Sequence, residues 1–292
     1  MRVLVIGGTG SVGKHVVRQL AYAGHEITVF HRGEHEAHFD MAVRHVHAAG
    51  EPMRALAFPA ELRNPEPDVV VHMVPMGEMD ARAAVEFFRG YAQRIVGVSS
   101  GDVYRAYGRL TSIEPGPLEA GPLTEESPLR TVLYPYRKMA KSEQVLEYWY
   151  EKILAERELL STDLPCTILR LGKVYGKDSN ADFSSVHPFR NHPQWRWTHV
   201  YVENVAAAIV LAAFSGQSGI FNVGEQHTPT VAERLAQLPA SDVPVVENVS
   251  FNFEQDIILD TSRIRTALGY TEAVGYDEGL RRTIKGLGQE SM

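Results

Sequence analysis

The stretch Arg2-Val3-Leu4-Val5-Ile6-Gly7-Gly8-Thr9-Gly10-Ser11-Val12-Gly13 decides the fold of this chain. Its first residues are nearly all apolar, which predicts a strand buried inside a parallel sheet. A helical pattern follows the glycines and stops near Gly24, and residues 26–30 have the pattern of a second strand. Strand, glycine-rich turn, helix and strand together predict a βαβ unit whose helix N-terminus faces the phosphates of a dinucleotide.

Six residues of this turn are the predicted cofactor contacts, namely Gly7, Thr9, Gly10, Ser11, Val12 and Gly13. The glycines allow a tight turn and let the backbone approach the pyrophosphate closely.

The end of the second strand indicates which dinucleotide is bound. An NAD site usually has an acid there, which holds the ribose 2′-hydroxyl. Here His31 takes that place, eighteen residues after Gly13, and Arg32 follows it. Because an arginine can pair with a 2′-phosphate, His31 and Arg32 favour NADP over NAD. The alternative is that Arg32 is a solvated loop residue and that Glu34 or Glu36 binds the ribose of NAD.

Strands and helices alternate through the first 172 residues. Apolar runs at 43–48, 68–74 and 94–99 predict further strands, and a helix is expected near 79–91. We therefore predict an α/β fold, with a doubly wound parallel sheet of the Rossmann type over residues 1–172. A smaller substrate-binding lobe is expected over 173–292, with segments near 199–224 returning to the first domain. The Pro- and Gly-rich excursion at 105–133 is either a lid or a surface loop.

Polar residues follow the strand at 94–99, at the sheet edge where ligands bind in such folds. Ser99, Ser100 and Asp102 lie at this edge; Ser99 is a predicted cofactor contact, and the Ser100 hydroxyl is a predicted hydrogen-bond partner of a substrate oxygen. A serine at a strand end also suits a turn or cap.

Composition limits the classes of function. The 292 residues are 44% hydrophobic with a formal net charge of −7, which favours a globular core and argues against general nucleic-acid binding. The single cysteine, Cys166, is expected in the core. No leader or membrane-length apolar run is recognised, so we expect a cytoplasmic protein.

No metal site is predicted, because His35 and His38, or His45 and His47, lack a convincing third ligand.

The chain resembles the extended short-chain dehydrogenase/reductase superfamily, in its NAD(P)-dependent epimerase/dehydratase branch. The matching motifs cover nearly the whole chain in family order; after the glycine turn they are residues 99–104, 169–176, 201–206, 221–224 and 260–263. The resemblance implies a Ser/Thr–Tyr–Lys catalytic set, with Tyr-x-x-x-Lys on the helix that precedes the next strand.

Two Tyr-x-x-x-Lys pairs are present, Tyr134 with Lys138 and Tyr148 with Lys152. On one helix face, either lysine would favour the phenolate and lower the tyrosine pKa from about 10. The distance to the predicted strand at 165–171 favours the second pair, which also has the family's acidic residue, Glu156, four positions after the lysine. We therefore predict Tyr148 and Lys152 as catalytic, with Lys152 also contacting the nicotinamide ribose; the first pair is the alternative.

The resemblance then implies an enzyme in which Tyr148 moves a proton while the nicotinamide cofactor exchanges a hydride with a small-molecule substrate. Asp102 matches an acid/base position of sugar-nucleotide dehydratases, but Gly101 replaces a neighbouring acid, which leaves epimerisation and reduction open.

Arg190 and Arg196 are predicted to bind an anionic group and Trp197 to stack on a ring; anchoring of a surface loop is equally compatible. A homodimer is expected. The alternative function is a catalytically silent NADP-binding sensor or scaffold.

Overall fold

The computed structural model describes residues 1–33, 36–48, 57–247 and 250–289. The strands in these ranges are β1 (Arg2–Ile6), β2 (Glu26–His31), β3 (Arg44–His47), β4 (Val69–His72), β5 (Arg94–Ser100), β6 (Cys166–Leu171), β7 (Lys173–Tyr175), β8 (His199–Tyr201) and β9 (Gly219–Val223). The helices are α1 (Ser11–Tyr22), α2 (Glu78–Phe88), α3 (Arg105–Leu110), α4 (Leu146–Trp149), α5 (Lys152–Leu160), α6 (Val202–Phe214), α7 (Val231–Leu235), α8 (Ser262–Leu268) and α9 (Tyr276–Gln289).

Seven strands form one parallel sheet in the order β3-β2-β1-β4-β5-β6-β9. The order reverses between β1 and β4, which is the switch point where dinucleotides bind in doubly wound folds. Ile6 is in register with Phe30 on one side and with His72 on the other, so β1, β2 and β4 end at the same sheet edge. The predicted Rossmann-type α/β fold is therefore confirmed.

The chain divides into two interleaved compact units. The first comprises Met1–Ser100, Leu133–Arg170 and Ala206–Phe221, and the second comprises Gly101–Val132, Leu171–Val205 and the chain from Asn222 on. The core of the first unit is aliphatic and aromatic, and includes Leu4, Phe30, Val70, Phe88, Ile95, Leu159 and Ile168.

The second unit has its own parallel strand pair, β7 with β8. It also contains all but the last residue of the predicted excursion at 105–133, which begins as helix α3 and continues as turns and isolated bridges. Trp195 and Tyr175 are among its fully buried side chains.

Among the helices that the structure describes, none is both long enough and apolar enough to cross a bilayer.

Candidate functional site

The glycine turn between β1 and α1 has the shape that a dinucleotide requires. Gly7 adopts a positive φ of 83°, and a Cβ on Gly13 would lie 2.7 Å from backbone atoms of Gly8. Gly10, by contrast, has no heavy atom within 4 Å of the place where a Cβ would be. It is the N-cap of α1, which has no side-chain cap and no acid in its first turn. The N-terminus of α1 is thus closely packed against the turn at Gly13 and open at Gly10, which leaves room for an anionic pyrophosphate.

The other predicted contacts of this turn, Thr9, Ser11 and Val12, are partly exposed beside Gly10.

His31 ends β2 as predicted, but its side chain is turned into the protein. It is 6% exposed, and its Nε2 lies 2.9 Å from Nδ1 of His45. Burial, then the nearby His47 and His45, lower the pKa of His31, while Glu36 opposes the change. A neutral His31 contributes no positive charge to a 2′-phosphate, so the exposed Arg32 carries that part of the argument.

Lys152 is held at the sheet edge between two strand ends. The side chain is buried, and Nζ donates to the carbonyl oxygens of Pro75 at 3.0 Å and Val98 at 3.1 Å. Pro75 follows β4 and Val98 lies near the end of β5. The ammonium therefore sits on the same edge as the glycine turn.

Tyr148 and Lys152 do not share one helix, which corrects the helical pairing expected from their spacing. Helix α4 ends at Trp149, and α5 begins at Lys152 after extended backbone at Tyr150 and Glu151. Glu151 is fully buried, and its carboxylate caps α5 by accepting the N–H of Ile153 at 2.9 Å. This cap stabilises a new helix start and so competes with continuation of α4.

The Tyr148 hydroxyl has a different partner from the one predicted. It donates to Glu143 at 2.8 Å, while the Arg137 guanidinium lies 4.7 Å from the ring centroid. The hydrogen bond to Glu143, then burial and the charge of Glu143, raise the pKa of Tyr148, and Arg137 only partly offsets them. These shifts are opposite to those that activate a tyrosine as a base at neutral pH.

The alternative pair is not helical either. Tyr134 has a positive φ of 55°, and its backbone N–H donates to the Glu151 carboxylate. Its ring stacks under Arg137 at 3.4 Å, and Lys138 is exposed in the following turn.

The ring of Tyr150 faces the Lys152 ammonium. Its ring centroid lies 5.6 Å from Lys152 Nζ and 5.1 Å from the ring of Tyr136. Spacing alone did not select Tyr150, because it stands two residues before the lysine and not four.

Ser99 and Ser100 end β5, with Ser99 facing inward. The Ser99 hydroxyl donates to Glu156 at 2.5 Å, and Arg170 donates to both oxygens of that carboxylate at 3.0 and 2.7 Å. The acid four residues after Lys152 thus joins α5 to β5 and β6. Ser100 is partly exposed.

Asp102 belongs to the second unit and is 7% exposed, and its backbone carbonyl accepts from the Arg130 guanidinium.

The predicted substrate residues of the second unit have different surroundings. Arg190 donates to the carbonyl oxygens of His187 and Val243 at 2.9 and 2.8 Å, so it ties main-chain segments together. Arg196 is exposed, and Trp197 is partly buried with Lys173 Nζ 5.5 Å from its ring centroid. Burial lowers the pKa of Lys173, which lies within the motif at 169–176 but was not predicted as a site residue.

The histidines considered for a metal site have different surroundings. His35 lies outside the described residues, and His38 is exposed. His45, however, has two further potential ligands, because donor atoms of His31, Glu36 and His45 all lie within 4.8 Å of one another. These two potential ligands come from the end of β2 and from the loop between β2 and β3.

Comparison with known proteins places the chain in a family. The family model described as NAD dependent epimerase/dehydratase matches residues 3–224. A search of curated proteins gave no match.

Solved structures match over the whole chain. UDP-glucose 4-epimerase of Thermus thermophilus, in complex with NAD, is 22% identical with a TM-score of 0.67, covering 99% of each chain. The UDP-glucose 4-epimerase of Thermotoga maritima, with UDP-glucose, is 18% identical with a TM-score of 0.73 and complete coverage of both chains. WbmG of Bordetella bronchiseptica, in complex with NAD, is 17% identical with a TM-score of 0.72, covering 99% of this chain and 94% of that one. At these identities the likeness shows the fold alone.

Proposed function

The chain belongs to the NAD-dependent epimerase/dehydratase family. On this premise we propose an NAD(P)-dependent epimerase or oxidoreductase of the extended short-chain dehydrogenase/reductase type. Its substrate is a hydroxyl or carbonyl group of a small molecule. The observation that carries the proposal is the buried Lys152 ammonium, fixed at the sheet edge to which the glycine turn also belongs. Nucleotide sugars are the first substrates to test, since solved neighbours were studied with UDP-glucose.

The residues present fit the cofactor. The turn from Gly7 to Gly13 would hold the pyrophosphate, Arg32 the adenosine ribose with its 2′-phosphate, and Lys152 the nicotinamide ribose. When bound, the nicotinamide supplies the hydride acceptor or donor.

We assign proton transfer to Tyr150. Its ring faces the Lys152 ammonium, and a fixed positive charge near a phenol favours the phenolate. Tyr148 is the competing assignment and would first have to leave Glu143. Ser100, at the end of β5, orients the substrate oxygen, and Asp102 is proposed as an acid or base only if elimination occurs.

The test compares Tyr150→Phe with Tyr148→Phe on one substrate, using UDP-glucose and NAD or NADP first. General acid–base catalysis contributes about 10²–10⁴-fold, so Tyr150→Phe should lose at least about 100-fold in kcat while Tyr148→Phe keeps most of it. Cofactor-induced thermal stabilisation should be unchanged in both variants, which separates chemistry from binding. Loss in Tyr148→Phe alone would restore the Tyr148 assignment.

Cofactor preference is tested at Arg32. We propose that NADP stabilises the protein more than NAD, and that Arg32→Ala abolishes the difference. A charge-assisted pair contributes about 1.5–3 kcal/mol, so the NADP Kd should rise about tenfold or more, with little change for NAD. Equal binding of the two cofactors by the natural chain would remove the case for NADP.

A silent NADP-binding sensor is the second candidate, favoured by the Tyr148–Glu143 hydrogen bond and the break between α4 and α5. It predicts cofactor binding at normal strength without turnover of any nucleotide sugar.

A cytoplasmic homodimer is also proposed, and sedimentation of the purified chain measures the dimer.

A further inference from the structure

Three histidines and one glutamate meet where β2 and β3 end. His31 Nε2 lies 2.9 Å from His45 Nδ1, and Glu36 Oε1 lies 3.9 Å from the same His45 atom. His47 Nε2 is 3.6 Å from Glu36 Oε1, and the His47 ring centroid is 4.5 Å from that of His31. Nitrogen and carboxylate oxygen donors therefore converge on a region a few ångströms across.

The parallel pairing of β2 and β3 creates this cluster. His31 is in register with His47, and His45 precedes His47 by two residues on the same face of β3. Since side chains alternate between the faces of a strand, the three rings project from one side of the sheet. Glu36 comes from the segment that leads from β2 towards β3.

The spacing of the donors suits a transition metal ion. Ligands of a tetrahedral zinc ion are about 3.3 Å apart when each bond is about 2.0–2.1 Å long. The 2.9 and 3.9 Å separations lie on either side of that value, so small side-chain movements would admit an ion. Imidazole and carboxylate ligands are those that zinc and its neighbours prefer.

The proton balance of binding follows from the hydrogen bonds. The Gly33 N–H donates to His31 Nδ1 at 3.2 Å, so neutral His31 carries its proton on Nε2 and shares it with His45 Nδ1. A metal ion bound between these two nitrogens would take the place of the shared proton. The His31 proton would then reside on Nδ1, and the Gly33 contact would open.

We propose that His31, Glu36 and His45 bind one divalent transition metal ion, with His47 positioned to hold the Glu36 carboxylate. A cavity of about 410 Å³ is lined by Glu36 and His45, together with His38 and Phe39. Three protein ligands, two of which line the cavity, correspond to an open site in which water completes the coordination. The site adjoins Arg32 but does not depend on the proposed enzymatic activity.

The experiment is zinc titration of the untagged, chelator-treated chain by isothermal calorimetry, with the metal content checked by elemental analysis. We expect one Zn²⁺ per chain. Glu36→Gln removes a ligand whose side chain is 63% exposed and so should leave folding intact. Changes in the surroundings of metal ligands alone cost about 10–100-fold in affinity, so loss of a ligand in Glu36→Gln or His45→Asn should weaken binding at least about tenfold.

His38→Asn is the matched control, because His38 lines the same cavity without belonging to the ligand set. Its zinc affinity should equal that of the natural chain. Absence of saturable binding would overturn the proposal, as would equal weakening by His38→Asn or unchanged binding by Glu36→Gln and His45→Asn with normal circular dichroism.

Discussion

Replacement of Arg170 by methionine removes one half of a buried ion pair and tests how α5 is held on the sheet. Arg170 and Glu156 are 2% and 3% exposed, and Arg170 donates two hydrogen bonds to the Glu156 carboxylate. Methionine fills much of the volume but cannot donate. Glu156 then keeps the hydrogen bond from Ser99 and loses its charged partner.

The expected cost is large because a buried charge is left without its counter-charge. Removing one partner of such a pair typically costs about 3–5 kcal/mol of unfolding free energy. At roughly 2–4 °C per kcal/mol for domains of about 150–250 residues, Tm should fall by about 6–20 °C. Adding Glu156→Gln to Arg170→Met removes the uncompensated charge, and the two changes should be coupled by about 1–3 kcal/mol.

The assay is urea denaturation of the natural chain, both single variants and the double variant, followed by circular dichroism. Arg82→Met is the control. Arg82, on α2, also pairs with a glutamate of α5, Glu158, at 2.9 Å, but the Arg82 side chain is 47% exposed. It should show a small fraction of the Arg170 effect, because exposed pairs contribute little. Additive single-variant costs, or equal costs for Arg170→Met and Arg82→Met, would refute the reasoning.

Three further results are expected. Gly10→Ala should leave Tm unchanged but abolish stabilisation by the dinucleotide, because the new Cβ would occupy the open space in front of the helix N-terminus. Gly13→Ala should lower Tm itself, because the new Cβ would clash with the Gly8 backbone. Thermal-shift measurements with and without NADP distinguish the two effects. Burial raises the pKa of the Cys166 thiol to about 12, so a disulfide reagent at pH 8 should label it only as fast as the protein opens, and rapid labelling of the folded chain would contradict this. Burial, then the Lys152 ammonium, lower the pKa of His72 to about 3. As the pH falls, His72 is therefore protonated in the unfolded chain before it is protonated in the folded one. The contribution of His72 to stability is therefore complete above about pH 6.5 and is lost as the pH falls towards 3. In His72→Leu, the unfolding free energy should fall less steeply on acidification, by about 1.4 kcal/mol per pH unit, as measured between pH 6 and 4.5.

The βαβ start was predictable because its signals are local. An apolar strand, three spaced glycines and a helical pattern lie within the first 24 residues, and the structure has β1 and α1 there. The parallel pairing of β1 with β2 completes the same pattern.

The tyrosine–lysine geometry was not predictable from spacing. The rule of four residues assumes one helix, but Tyr148, Trp149 and Tyr150 are only moderate helix formers, and the Glu151 cap starts α5 afresh. Whether a side chain caps or continues a helix depends on burial of that side chain, which a spacing rule does not contain.

The histidine cluster was missed because register between strands is not a property of one segment. His45-x-His47 is visible as an alternating pair, yet only the β2–β3 pairing brings His31 beside it.

The position of β9 has a consequence for any attempt to prepare the dinucleotide-binding part by itself. β9 is the neighbour of β6, although it comes from residues 219–223, beyond the predicted boundary at residue 172 and within the region near 199–224 that was predicted to return to the first domain. A chain cut at that boundary would leave β6, whose side chains are almost all buried, as an exposed edge strand. Unpaired edges of this kind recruit other chains, so such a fragment should aggregate unless the segment carrying α6 and β9 is supplied with it.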